Sequence, residues 1–96
     1  MRQPDLSTRQ LRAFMQLATQ RRFTRAAEAC HLSQPAFRPP IRALEDGVGG
    51  RLFDRDTRSV RLTALGERFE PAARRLLHDA RDALGDLADH VQRRKG

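Results

Sequence analysis

The chain has little of what would make it secreted, membrane-bound or catalytic. Cys30 is its one cysteine among 96 residues. That excludes an internal disulfide, and a reducing cytoplasm is the expected compartment. No apolar run approaches the ~20 residues of a membrane-spanning helix, and the opening residues do not read as a signal peptide. His31, His78 and His90 lack metal-ligand spacing. No glycine-rich phosphate loop or nucleophile elbow occurs. No metal, cofactor or enzymatic activity is therefore expected. Cys30 reads as a small buried hydrophobe. Cys30 and His31 are neighbours, so on a helix their side chains would diverge. Repeats and low-complexity tracts are missing, and lysine nearly so: Lys95 is the only one.

What is abundant is arginine. Nineteen basic residues, eighteen of them arginine, stand against twelve acidic ones and give a net charge of +7. Residues 1–62 carry +6 of it and residues 63–96 only +1. A guanidinium fork donates in pairs to phosphate or to guanine, so a nucleic-acid partner is expected to meet the first two thirds. Plain solubility from surface arginine is the alternative. The length fits one small domain with a modest core, of a size that often gains stability by oligomerising.

Two helical patterns meet at a short joint between Phe23 and Leu44. Before them, Ser7 and Gln10 form a capping box for a helix over about 8–20. Leu11, Phe14, Met15 and Ala18 follow its helical spacing. Thr24 is expected to cap a second helix that runs to about Cys30, and Ser33 a third that stops before Gly47. Ala26, Ala27 and Cys30 are small enough for close helix approach. The third pattern turns Ala36, Phe37, Ile41 and Leu44 inward, and Gln34, Pro35, Arg38 and Arg42 outward. A packed inner face and a basic outer face are what a helix-turn-helix needs in a DNA groove.

Residues 51–63 read as a two-stranded hairpin. Leu52 and Phe53 precede a polar turn, and Val60 and Leu62 alternate with polar residues after it. With arginines at its tip, such a hairpin is a wing. An ordinary surface loop is the alternative. Thr63 can cap a last helix reaching about Arg94. Along it, Ala73, Leu77, Ala80, Leu84, Leu87 and Val91 step by four and three, as the seam of a paired helix does. A helix folded back on its own body is the alternative to dimerisation. The fold class is mainly α: a winged helix-turn-helix of three helices and a wing over 1–63, then a long linker or dimerisation helix over 64–96.

The words L-R-A-F-M-Q-L-A, F-T-R-A-A-E, L-S-Q-P-A, I-R-A-L-E, R-L-F-D-R and R-L-T-A-L-G occur in this order from Leu11 to Gly66. In sequence and spacing they resemble the N-terminal DNA-binding domain of LysR-type transcriptional regulators. The resemblance implies a homodimeric winged helix-turn-helix that binds promoter DNA in bacteria. It places Thr24, Arg25, Ser33, Gln34 and Pro35 at the DNA. It also implies an inducer-binding domain in a full-length protein, which these residues do not include.

Chemistry agrees with those positions. Thr24 and Ser33 offer hydroxyls and helix N-termini to phosphate. Gln34 can pair with an adenine edge, and Pro35 can touch a thymine methyl. Arg38 and Arg42 suit guanine or phosphate. Arg25 flanks the groove. Arg55, Thr57 and Arg58 of the wing would reach the adjacent minor groove. Rival functions are a protein-interaction module built on the long helix and a non-specific architectural DNA binder.

Pro39 and Pro40 break the pattern. Family members usually carry helix formers there, and often a small polar residue where Arg38 stands. Each interior proline costs ~3 kcal/mol or more. Helix three is expected to kink, or to restart at Pro39, and so to be distorted or shortened.

Overall fold

A computed structural model describes residues 5–56 and 59–95. Three helices come first: α1 (Thr8–Gln20), α2 (Phe23–Ala29) and α3 (Gln34–Val48). A two-stranded antiparallel hairpin follows, β1 (Phe53–Arg55) and β2 (Val60–Leu62), with Phe53 opposite Leu62. The chain ends in α4 (Ala64–Lys95), 32 residues long. At 1.5 Å per residue such a helix spans about 48 Å, nearly the 55 Å of the longest molecular axis.

Local chemistry accounts for most boundaries. Ser7 accepts the Gln10 amide at 3.1 Å and the Gln10 side chain returns the bond, which completes the capping box of α1. The end of α1 turns through Arg21 in the left-handed region (φ 62°). The Arg21 carbonyl then accepts the Val60 amide at 2.9 Å and ties the wing to α1. Ser33 caps α3 by accepting from Ala36. Thr63 caps α4 by accepting from Gly66 at 3.0 Å, and its hydroxyl donates to the Arg51 carbonyl.

Three expectations about helix boundaries and continuity are corrected. Thr24 is not a cap: α2 begins one residue earlier, with Arg22 at the N-cap position and no side-chain cap bond. Phe23 supplies the reason, because its ring packs against Phe37 and draws the helix start back. Helix three does not stop before Gly47 but runs to Val48. Gly49 ends it, with φ 89°, a conformation that costs glycine least. Nor is α3 shortened at Pro39 and Pro40, which lie inside one continuous fifteen-residue helix. Phe37 before the pair and Ile41 and Leu44 after it are all buried. Packing on both sides thus outweighs the missing bonds, as tertiary context commonly outweighs propensity.

The core is one cluster fed by every element. Leu11, Phe14 and Leu17 of α1 meet Ala26 and Ala27 of α2, then Phe37, Ile41 and Leu44 of α3. Leu52, Phe53 and Val60 of the wing segment and Ala73 of α4 close it. Phe14 sits at its centre. Its ring lies 5.2 Å from that of Phe53 and 5.0 Å, edge-on, from that of Phe69. Ala36, expected inward, is exposed. It is the third residue of α3, beside the buried Phe37.

Candidate nucleic-acid interface

The outer face of α3 and the wing enclose a groove. Arg21, Arg22, Phe23, Thr24, Gln34 and Arg38 line it, with Asp56, Ser59 and Val60 from the hairpin, around about 260 Å³. The Ser33-capped N-terminus of α3 opens beside it, with Gln34 and Pro35 in the first turn. The amides there, and the positive end of the helix dipole, favour an anion. Thr24, Arg25, Pro35, Arg38 and Arg42 are exposed, and Gln34 is half-buried. The structure thus brings Thr24, Gln34 and Arg38 to one groove. Thr57 and Arg58 lie outside the described residues.

Arg55 is held differently from the reading of an arginine-bearing tip. It lies in β1, and its guanidinium pairs with Glu45 at 3.2 Å. The other Glu45 oxygen accepts the amides of Leu52 (2.8 Å) and Phe53 (3.4 Å). Glu45 thereby fixes the base of the wing to α3. Glu45 falls within the I-R-A-L-E word, which by itself points to no role for it. The available signal is its spacing: Glu45 follows Ile41 by four residues, on the packed side of α3.

One ring organises the arginines. The Arg38 guanidinium carbon sits 4.3 Å from the centroid of Phe23, and that of Arg55 5.3 Å from it. Phe23 in turn meets Phe37 edge-on at 6.1 Å. Cations are attracted to ring faces at such distances.

A second groove, of about 720 Å³, lies between α1, the α2–α3 joint and α4. Cys30 and His31 both line it, and neither lies within a helix. Cys30 is the C-cap of α2, and His31 turns through φ 57° beyond the helix end. Cys30 is half-buried rather than fully buried. Burial raises its thiol pKa, and the Arg12 guanidinium partly counters that.

The apolar seam of α4 divides. Ala73 is fully buried in the core, and Leu77 packs against it. Ala80 is half-buried. Leu84, Leu87 and Val91 are 66%, 62% and 50% exposed. Among the described residues no helix is long and apolar enough to cross a membrane.

Residues 8–67 match the family model of bacterial regulatory helix-turn-helix proteins, lysR family. The chain is 56% identical over 69 residues to the SDS degradation transcriptional activation protein of a Pseudomonas strain, covering 72% of this chain and 22% of that protein. It is 45% identical over 83 residues to the HTH-type transcriptional regulator BudR of Klebsiella aerogenes, covering 86% and 54%. These curated relatives are therefore about twice to more than four times as long as the matched part. Among solved structures it is similar to Vibrio fischeri DarR in complex with DNA, with a TM-score of 0.87 and 35% identity over 92% of this chain and 30% of that one. It is also similar to the CbnR_DBD–DNA complex, with a TM-score of 0.82 and 34% identity over 91% and 99%.

Proposed function

The chain belongs to the lysR family of bacterial regulatory helix-turn-helix proteins, and from that premise we propose that it binds double-stranded promoter DNA as a homodimer and regulates transcription. The carrying observation is the groove between α3 and the wing, where Thr24, Gln34 and Arg38 converge on a capped helix N-terminus. Helix α3 enters the major groove. Ser33, Thr24 and Arg25 hold phosphate and set the register, and Gln34, Pro35 and Arg42 face base edges or backbone. The wing reaches the adjacent minor groove, and Arg58 and Thr57, outside the described residues, are assigned to the same contact by their chemistry. Arg55 supports the wing from its base, anchoring the hairpin to α3 through Glu45.

Residues 1–63 carry the DNA contacts and 64–96 the pairing. The free part of the seam, Leu84, Leu87 and Val91, supports dimerisation, because exposed leucines at heptad spacing on a helix gain most from a second copy. Two α3 helices then meet half-sites about one helical turn apart on a roughly palindromic site. An inducer-binding domain in a full-length protein would control that dimer.

Titrating the chain against promoter and random duplexes at increasing salt tests the reading. Affinity should fall steeply with salt, because phosphate contacts release counterions, and the promoter should compete better than random DNA. Equal competition would point to an architectural binder. Absence of binding would leave a protein-interaction module built on α4.

A further inference from the structure

We propose that Arg38 reads a guanine within two base pairs of the base addressed by Gln34, and that Phe23 is the residue that positions it. The inference rests on the DNA-binding reading above and names a specificity element within it. Phe23 is a fixed platform: it is the first residue of α2, and its ring is braced edge-on by buried Phe37. The Arg38 guanidinium lies over that ring, 4.3 Å from its centroid. Contact with a ring leaves a guanidinium's N–H fork to donate elsewhere. Among the described residues Arg38 has no ion pair and no conventional hydrogen bond.

Arg55 makes the contrast. It lies 5.3 Å from the same ring, but its fork is engaged by Glu45. One arginine at the platform is thus paired with a carboxylate and tied to α3, and the other is held in place with its donors open. A long side chain already held in one orientation loses less freedom on binding. A bidentate guanine contact, which needs a planar fork in one pose, gains more from this than a phosphate contact, which tolerates many poses. Gln34 and Arg38 stand one turn apart and line the same groove. That separation is about 6 Å along the axis, just under two base steps of about 3.4 Å. The guanine should lie within two base pairs of the Gln34 contact.

The test is selection of binding sites from random duplexes with the chain and its variants. The parent should enrich a guanine at one position, and Arg38→Ala should lower that preference roughly 5- to 100-fold while leaving other positions alone. Phe23→Leu keeps an apolar side chain against Phe37 but removes the ring, and should lower the same preference roughly 2- to 5-fold. Phe23→Tyr should restore it. In an Arg38→Ala background, Phe23→Leu should change nothing further at that position, because a positioning residue acts only through its partner. If the parent enriches no sequence, the DNA-reading proposal itself fails. If the parent enriches a Gln34-dependent site but Arg38→Ala weakens all sequences equally, Arg38 is a phosphate contact and the inference is overturned. If Phe23→Leu acts equally in both backgrounds, Phe23 is only structural and its positioning role is overturned. Arg38 is exposed, so its variant tests the base contact even where a Phe23 variant fails to fold.

Discussion

The two halves of α4 share one apolar seam and meet opposite fates. In the first half, Phe69, Ala73 and Leu77 pack into or against the core, and Phe69 stacks edge-on against Phe14. In the second, Leu84, Leu87 and Val91 stand in solvent. Nothing in the heptad spacing marks where one ends and the other begins. What changes is the supply of neighbours, since α1 and the wing lie beside the first turns only. The same pattern therefore signals burial within one chain and an unmet demand for burial outside it.

Substitutions on that seam should break the comparison most strongly. Ala73→Asp places a carboxylate in the core with no partner, and should cost about 3 kcal/mol or more. For a small domain that is a large share of total stability, and thermal melting should show it. Leu84→Asp should leave the melting of the body nearly unchanged, yet sedimentation at tens of micromolar should shift from dimer to monomer. A parent chain that sediments as a monomer there would remove the pairing role from the seam.

The elements legible in the sequence were those fixed by local chemistry. Ser7 with Gln10, Ser33 and Thr63 each announced a helix start, and each makes the expected bond. The hairpin was legible from its alternation. Less legible were features set by contacts far apart in the chain. Phe23 moves the start of α2 because Phe37 is there to meet it. Glu45 grips amides seven and eight residues further on. The first half of α4 is captured by α1. The groove was legible as a set of residues, but the sharing of one ring by Arg38 and Arg55 was not, because it joins three separate elements.

Helix α3 sharpens the lesson from the other side. It stays helical across Pro39 and Pro40 because Phe37, Ile41 and Leu44 are buried along its length. The packed stretch tolerates what the solvent-exposed end of α4 could not. On a helix scale each proline is about 3 kcal/mol worse than alanine. The stiffer unfolded chain offsets about 0.4–1 kcal/mol of that per proline. Replacing both with alanine should therefore raise stability by about 4–5 kcal/mol and tighten specific binding. A lowered melting temperature would mean that the prolines fit a local geometry which alanine does not favour.

Two glycines carry the comparison to single atoms. At Gly66, in the packed half, an added Cβ would strike the Leu52 carbonyl oxygen and come within 2.8 Å of Leu62. Backbone cannot yield as a side chain can. Gly66→Ala should destabilise by about 1–3 kcal/mol through overpacking, and denaturant unfolding should register it.

Gly85, in the free half, should behave oppositely and by least. A Cβ there meets nothing within 4 Å, so alanine adds helix propensity at no steric cost. The gain is about 0.8–1 kcal/mol for the helix. It should appear as higher helical content by circular dichroism, because the core does not depend on this end. Position 85 falls beside the seam of residues 84, 87 and 91 rather than within it. A stiffer distal helix should therefore hold the dimer as well as before or slightly better, since less order remains to be imposed on pairing. A clear loss of dimer affinity after Gly85→Ala would mean that the partner approaches this side of the helix. The pairing face would then be rotated away from Leu84 and Leu87.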